Sequence, residues 1–238
     1  MIKLYSFGSP NVVKIYIALE ELGLAYEVQP VDVLAGGQLE PGFLTLNPNG
    51  KVPVIVDPEG PDSAPFTCFE SGAILLYLAE KTGRLLPHSA AARYEAIQWL
   101  MVQLTAVGPS FGQCIHFHRF APGEGNDYAR SRYMTQAVRV SEALERRLAV
   151  SPWLSGEEYG IADVATWPWA RIMPRFLSAE VVARLPATAR WIATVGERPA
   201  VKAALARVED LRGQVTALDA ATAQEFDRFF ARGQFAAA

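Results

Sequence analysis

The fold of this chain is decided by the stretch Asn47-Pro48-Asn49-Gly50-Lys51-Val52-Pro53-Val54-Ile55, residues 47–55, together with Phe69-Glu70-Ser71-Gly72-Ala73-Ile74-Leu75-Leu76-Tyr77-Leu78, residues 69–78. The first stretch is typical of a turn that leads into a strand. Pro53 suits the strand entrance, because the first residue of a strand need not donate a backbone N–H to the sheet. The second stretch is typical of a strand that ends at a helix, with a serine at the helix start. Residues 52–81 are therefore predicted to form a strand pair followed by a helix.

Upstream of this stretch, the pattern predicts a strand, a helix and a second strand. Residues 2–7 alternate like a strand, and apolar residues then recur at helical spacing as far as Gly23, which suits a helix end. Ser9 suits the N-cap of this helix and Pro10 its first position. Residues 26–31 are again extended, and a short helix is expected before the third strand. This order predicts an α/β domain with a four-stranded mixed sheet and three helices.

Beyond the α/β region the pattern becomes helical throughout. No convincing strand follows Phe69, and a loop at residues 119–126 separates two long helices. The predicted helices span residues 90–118, 127–150, 160–177, 179–185, 187–197 and 200–212, with one more in the tail at 221–231. An all-α domain over residues 92–238 is therefore expected, with a C-terminal extension from about residue 213.

Composition and charge exclude several classes of function. The net charge is −3 and the basic residues are scattered, so no nucleic-acid-binding surface is expected. No apolar run is long enough to cross a membrane, and the N-terminus lacks a signal-peptide pattern, so a cytoplasmic protein is predicted.

The potential metal and redox residues do not form a recognisable site. Cys68 and Cys114 are far apart and form no CxxC pair, so both are interpreted as buried apolar residues. His116 and His118 are separated by two positions and do not share a helix face, so no metal site is expected. Any thiol chemistry would therefore need a thiol that is supplied by another molecule.

Val52 and Pro53 suggest how a peptide-like ligand could be held. If the bond between them is cis, the N–H and C=O of Val52 face outward and can pair with the main chain of a ligand. The alternative is an ordinary trans proline that begins an edge strand.

Glu70 and Ser71 together match the head of an α-amino acid. The start of a helix at Ser71 could bind a carboxylate, and Glu70 could pair with an adjacent ammonium. The alternative is that both residues only cap the helix.

These motifs resemble the cytosolic glutathione S-transferase family, and the resemblance covers most of the chain. Besides residues 47–55 and 69–78, it includes Ser151–Gly156 with Tyr159–Ala165, which is similar to the folding motif of the helical domain, and Arg198–Val201. Ser9-Pro10-Asn11, Gly36-Gly37-Gln38 and Trp99 are closest to the bacterial Nu-class and fungal Ure2p-like group. The resemblance implies a thioredoxin-like, glutathione-binding domain over residues 1–86, followed by the helical domain over residues 92–238.

The resemblance also implies a glutathione site without a metal. Val52, beside Pro53, would pair with the cysteinyl main chain, while Glu70 and Ser71 would hold the γ-glutamyl head. The resemblance implies that Gln38 and Lys51 face the glycyl end. Arg132, on the second long helix of the helical domain, is expected to reach a glutathione carboxylate, with a dimer interface as one route.

The glutathione thiolate needs donors near its sulfur. The hydroxyl of Ser9, the amide of Asn11 and the start of the first helix are the predicted donors, since they lower a thiol pKa without a formal charge. Two alternatives stay open: Ser9 could simply cap the helix, and Tyr5 could be the donor. No cysteine stands in this turn, so a mixed disulfide with the protein's own cysteine is not expected.

The resemblance implies an enzyme that uses glutathione as a reductant, with disulfide reductase or peroxidase activity and weak transferase activity. Its partners would be glutathione, a second small molecule (a disulfide, a peroxide or an electrophile) and a second copy of the chain. The alternatives are glutathione conjugation and a non-catalytic binding or regulatory protein.

One residue departs from the family pattern. Gly160 stands where the folding motif usually has Ser or Thr, three residues before Asp163. Asp163 is interpreted as structural, and the helix is expected to begin more weakly because glycine offers no capping oxygen.

Overall fold

A mixed sheet organises the N-terminal part of the chain. In the computed structural model, which describes residues 1–236, the strands are β1 (Ile2–Ser6), β2 (Tyr26–Pro30), β3 (Val54–Asp57) and β4 (Phe66–Phe69). They lie in the order β2-β1-β3-β4, with β1 and β2 parallel and the other neighbours antiparallel. The predicted four-stranded mixed sheet is confirmed.

The rest of the described chain is helical, as predicted. The helices are α1 (Pro10–Leu22), α2 (Pro41–Leu44), α3 (Ser71–Thr82), α4 (Ala90–Val102), α5 (Gly108–Ile115), α6 (Asp127–Leu148), α7 (Ile161–Ala170), α8 (Ala179–Ala183), α9 (Pro186–Gly196), α10 (Pro199–Glu209) and α11 (Ala223–Phe229). Contacts group the chain into two compact units: Met1–Ile74 with the described residues from Lys202 onward, and Leu75–Val201. The domain limits at 86 and 92 stay a prediction.

Helix α1 is buried on all sides. Pro10 occupies its first turn, and Gly23 ends it in the left-handed conformation with its N–H bonded to the carbonyl of Glu20. The residues from Val12 to Leu19 are all buried. A helix that is buried all round belongs inside a packed unit rather than on its surface, so its single lysine, Lys14, cannot lie on a solvated face.

The sheet register brings four loops to one end of the first unit. Tyr5 of β1 pairs with Val54 of β3, and Val54 pairs with Phe69 of β4. Because these neighbours are antiparallel, the turn after β1, the entrance to β3 and the exit from β4 lie at the same end. Ser6 pairs with Pro30 in the parallel pair, so the loop after β2 begins there too.

The first long helix is interrupted by wider turns. Where a continuous helix was predicted over residues 90–118, α4 and α5 are joined by a π-helical turn at Gln103–Val107, and another follows at His116–Phe120. The helix predicted over residues 160–177 stops at Ala170. A short 3₁₀ turn, Met173–Arg175, follows, and Pro174 within it has no N–H to continue an α-helix.

A neighbouring serine compensates for the glycine at the start of α7. The hydroxyl of Ser155 accepts a hydrogen bond from the N–H of Ala162 at 3.2 Å, as the side chain of an N-cap residue would. Asp163 completes the arrangement by accepting from the N–H of Gly160 at 3.2 Å. A Cβ at Gly160 would lie 2.6 Å from this Ser155 oxygen and 2.7 Å from the carbonyl oxygen of Leu85. Gly160 offers no capping oxygen, as expected, but residue 155 supplies one, so the reason for expecting a weak helix start does not hold.

The C-terminal segment, residues 213–236, packs within the first unit. Asp32 accepts hydrogen bonds at one carboxylate oxygen from the N–H and hydroxyl of Thr216, at 2.9 and 2.6 Å. Arg228 donates to the carbonyl oxygen of Ala35 at 2.8 Å. Apolar side chains of the segment pack against a buried cluster of the unit; they are Val215, Leu218, Ala221 and Phe226, and the cluster is Phe7, Val31, Val33, Leu34, Phe43 and Val54. The extension is thus part of the packing of this unit.

Within residues 1–236, none of the helices combines the length and the apolar character that a membrane span requires.

Candidate active site

The turn after β1 presents Ser9 at the start of α1. Ser9 has an extended backbone at the N-cap position, and its carbonyl accepts from the N–H groups of Val12 and Val13, each at 3.0 Å. Its side chain makes no capping hydrogen bond. The alternative in which the Ser9 hydroxyl caps the helix is therefore wrong. Asn11 lies in the first turn and is half-buried.

The entrance to β3 presents the main chain of Val52. The bond between Val52 and Pro53 is cis, as one of the two interpretations of the sequence predicted. Val52 precedes the first ladder pair of β3, and among residues 1–236 its N–H and C=O have no hydrogen-bond partner. These two groups are therefore available to the main chain of a ligand.

The exit from β4 presents Glu70 in an unusual conformation. Glu70 has a φ of 67°, in the left-handed region that costs a residue other than glycine about 1–3 kcal/mol. Its exposed carboxylate accepts from the side-chain amide of Asn49 at 3.4 Å. Asn49 is oriented in turn by Asn47, whose side chain also donates to the carbonyl of Lys51 at 2.7 Å. The two asparagines thus tie the turn before β3 to the residue after β4.

Ser71 lies beside a buried lysine that the sequence reasoning missed. Ser71 is buried at the first position of α3, and the amino group of Lys14 donates to its Oγ at 3.2 Å. Lys14 is 1 % exposed. Burial lowers the pKa of its amino group to about 7, although the nearby Glu70 carboxylate acts in the opposite direction. The uninterrupted apolar run on both sides of Lys14 was the signal that could have revealed its burial.

Gln38 and Lys51 belong to the loops at the same end of the sheet. Gln38 is 8 % exposed in a 3₁₀ turn, Gly37–Leu39, and its Oε1 has no hydrogen-bond partner among the described residues. A buried acceptor of this kind is normally paired, so a ligand donor would satisfy it. Lys51 is exposed, which leaves its ammonium accessible to an anionic group.

Tyr5 and Arg132 are placed differently. The ring of Tyr5 packs edge-on against Phe43, with ring centroids 6.1 Å apart, which supports a packing role over the donor role. Arg132 is exposed on α6 in the second unit, and its reach to a glutathione carboxylate stays a prediction.

The surroundings of the turn include an open cavity. Phe7 and Gly8 contribute to a cavity of about 530 Å³ in the first unit. Its other walls come from the end of α10 and the segment after it: Val208, Glu209, Leu211, Arg212, Gly213, Val215, Thr216, Ala217, Leu218 and Asp219. The C-terminal segment therefore lies beside the turn that carries Ser9.

The protein's own thiols are unsuited to catalysis. Burial raises the pKa of the Cys68 and Cys114 thiols to about 11, so both remain protonated at neutral pH. Within residues 1–236, no group of three or more His, Cys, Asp and Glu side chains is arranged to hold a metal ion.

Two family profiles match this chain. The profile described as the glutathione S-transferase N-terminal domain matches residues 8–81, and the profile of the glutathione S-transferase C-terminal domain matches residues 127–194. The first match contains Ser9, Val52, Glu70 and Ser71, and the second contains Asp163.

Similar proteins have been characterised and solved. The disulfide-bond oxidoreductase YfcG of Escherichia coli is 44% identical over 210 residues, which is 88% of this chain and 96% of that protein. A glutathione transferase family member from Pseudomonas fluorescens, solved with two glutathione molecules bound, is 45% identical with a TM-score of 0.81, over 86% of this chain and 92% of that chain. A glutathione transferase from Pseudomonas putida, solved with one glutathione disulfide per subunit, is 44% identical with a TM-score of 0.81, over 86% of this chain and 90% of that chain. The chain therefore belongs to the glutathione S-transferase family.

Proposed function

We propose that this protein is a glutathione-dependent disulfide reductase. The observation that carries the proposal is the convergence of the Ser9 turn, the unpaired main chain of Val52, and Glu70 with Ser71 at one end of the sheet. The names of the relatives point the same way, since YfcG is a disulfide-bond oxidoreductase and two of the solved relatives hold glutathione or its disulfide.

In this proposal, each loop of the site contacts a different part of glutathione. Val52 offers one N–H and one C=O to the peptide-like cysteinyl part of glutathione. Pro53 follows Val52 through the cis peptide bond. Glu70 pairs with the γ-glutamyl ammonium, and Ser71 with the adjacent carboxylate. At the glycyl end, Gln38 accepts from the ligand and Lys51 pairs with its carboxylate. These contacts orient the thiol toward the turn after β1.

Ser9 and Asn11 then stabilise the thiolate form of that thiol. The Ser9 hydroxyl makes no capping bond, so it can donate to sulfur. The first turn of α1 adds the positive end of a helix dipole, and Asn11 adds an amide donor. Donors at the sulfur lower its pKa and raise the fraction present as the nucleophile.

Disulfide reduction needs two glutathione molecules per turnover. The first thiolate attacks the substrate disulfide, forms a mixed disulfide and releases one substrate thiolate, which takes up a proton. The second glutathione attacks the mixed disulfide, releasing the other substrate thiol and glutathione disulfide. Two glutathione thiols thus lose two electrons and two protons, and the substrate disulfide gains them. The open cavity beside Gly8 has room for a second substrate near the turn.

The test is the steady-state rate with glutathione and hydroxyethyl disulfide, measured beside conjugation of glutathione to chlorodinitrobenzene. We expect strong disulfide reduction and weak conjugation. Ser9→Ala should lower the disulfide reductase rate at neutral pH by about 10-fold or more, because loss of the donor raises the pKa of the bound thiol and each pKa unit above the ambient pH lowers the thiolate fraction about tenfold. Ser9→Thr is the matched control and should retain most of the rate.

The same experiment separates the alternatives. Efficient conjugation would identify a transferase that acts on electrophiles. An unaffected Ser9→Ala variant would transfer the donor role to Asn11 or Tyr5. A folded protein that does not bind glutathione would be a non-catalytic binding protein.

The assembly and location of the enzyme are part of the proposal. We propose a cytoplasmic homodimer with an N-terminal domain of residues 1–86 and a helical domain of residues 92–238, extended from about residue 213. Arg132 would reach a glutathione carboxylate in the dimer. Arg132→Ala should therefore raise the KM for glutathione, and light scattering would report the dimer.

A further inference from the structure

Lys14 is a buried charge that the proposed reaction does not use. It is 1 % exposed and stands in α1 between Val13 and Ile15, which are buried and apolar. Moving an ammonium out of water carries a large free-energy cost, so such a group persists where it is paired or functional. Its amino group lies 3.2 Å from the Oγ of Ser71, which is itself 6 % exposed.

The chemistry of this contact fixes the direction of the Ser71 hydroxyl. An ammonium has three donors and no acceptor, so a protonated Lys14 donates and the Ser71 oxygen accepts. The Ser71 proton is then directed elsewhere and can donate to another acceptor. A neutral Lys14 amine has a lone pair and can instead accept the proton of Ser71, which removes that donor from a ligand.

We propose that Lys14 is a positioning residue for the γ-glutamyl carboxylate of glutathione. Its buried ammonium directs the Ser71 hydroxyl toward the ligand and adds positive electrostatic potential at the carboxylate. The inference rests on the proposed glutathione site. It adds a residue on α1, behind the binding surface, to the groups that determine glutathione affinity.

Binding of the carboxylate is then linked to the protonation of Lys14. The charged group that already stabilises the Lys14 ammonium is Glu70, at the junction of β4 and α3. Tyr16 lies two residues after Lys14 in α1. The charged groups that act on Tyr16 are Arg207, in α10, and Asp210, which directly follows α10. A ligand carboxylate beside Ser71 adds a second negative charge, so it raises the pKa of Lys14 above its value of about 7. Binding near pH 8 therefore takes up a proton.

Isothermal titration calorimetry with S-methylglutathione tests this linkage. The probe has no thiol, so the proton that glutathione itself would release does not interfere. Titration of the full-length protein near pH 8 in buffers of different ionisation enthalpy gives the number of protons taken up. For the wild type we expect an uptake of roughly half a proton and an affinity that falls as the pH rises from 6.5 to 8.5.

Three variants separate positioning from simple packing. Lys14→Met should weaken binding by about 10-fold or more at pH 6.5 and abolish the proton uptake. Lys14→Arg keeps a permanent charge, so it should bind more tightly than Lys14→Met without taking up a proton. Lys3→Met, at an exposed lysine of β1, is the matched control and should behave like the wild type.

A double-mutant cycle tests whether Lys14 acts through Ser71. On a Ser71→Ala background, Lys14→Met should cause much less additional loss than on the wild type. Unchanged affinity and proton uptake in Lys14→Met, or no proton uptake by a wild type that binds the probe, would overturn the role of Lys14 alone. A wild type that binds neither S-methylglutathione nor glutathione would overturn the glutathione site and the inference with it.

Discussion

At the residue scale, the buried amino group of Lys14 contributes a pH dependence to the stability of the protein. Burial lowers its pKa from 10.5 to about 7, so the folded protein releases this proton near neutral pH. The unfolded chain keeps the proton until the pH approaches 10.5. Between these values the unfolded state binds more protons, and the free energy of unfolding therefore rises with pH.

We accordingly predict that this lysine makes the protein more stable at pH 9 than at pH 7. Relative to Lys14→Met, the free energy of unfolding of the wild type should rise by about 2 kcal/mol across this range, since each pKa unit corresponds to about 1.4 kcal/mol. Urea unfolding at several pH values measures the difference, with Lys3→Met as the control. Parallel pH profiles for the wild type and Lys14→Met would contradict the prediction.

Some site residues could be predicted from the sequence and others could not. Val52 and Ser71 stand in local patterns whose geometry follows from a strand entrance and a helix start, so their loops could be identified directly. The contact between Lys14 and Ser71 joins residues 57 positions apart, and no local pattern encodes it. The roles of Gln38 and Arg132 depend on a ligand and a partner chain, and they stay predictions.

At the element scale, the start of α7 shows how one residue can replace the side chain of another. The Ser155 hydroxyl occupies the place that an N-cap side chain at residue 160 would take, and the N–H of Ala162 donates to it. Sequence reasoning located this helix but expected a weak start, because it considered only residue 160 and Asp163 as sources of capping. The capping oxygen comes from five positions earlier, and the folded loop alone brings it there.

Restoring the usual serine at residue 160 should therefore destabilise the protein. Gly160→Ser places a Cβ 2.6 Å from Ser155 Oγ and 2.7 Å from the carbonyl oxygen of Leu85. Forced overpacking of this kind costs about 1–3 kcal/mol, whereas a better N-cap alone would add about 1 kcal/mol of stability. The two arguments predict opposite signs, and thermal unfolding distinguishes them.

The matched control for this substitution is Gly123→Ser, where a Cβ would meet nothing within 4 Å. Its melting temperature should match that of the wild type. A Gly160→Ser variant that melts above the wild type would show that the loop adjusts and that the crowding argument is wrong.

At the scale of the whole molecule, the C-terminal segment completes the unit that contains the candidate site. Thr216 bonds to Asp32, and Arg228 bonds to the carbonyl of Ala35, in the loop that leads to Gln38. Burial raises the pKa of Asp32, but hydrogen bonds from Thr216, Ala35 and Leu34 outweigh this effect and hold it below its ordinary value. The segment thus secures this loop with polar contacts as well as apolar packing.

Truncation after Gly213 should consequently destabilise the protein. The side chains lost from residues 214–236 are only partly buried, so we expect a cost of about 3 kcal/mol and a fall in melting temperature of about 6–12 °C. The KM for glutathione should rise because the loop that carries Gln38 loses its support. Truncation after Gly233 keeps Thr216 and Arg228 and is the control. An unchanged melting temperature for the shorter chain would show that the segment only lies on the surface.

The bond between Asp32 and Thr216 also has a consequence for the order of folding. Thr216 leaves the ribosome 184 residues after Asp32, so the nascent N-terminal strands emerge long before the segment that covers them exists. Until then, the apolar side chains of this segment cannot pack against the cluster that contains Leu34 and Phe43, and the cluster could bind a chaperone. For the proposed glutathione site, full affinity is therefore expected only after synthesis has passed the helical region.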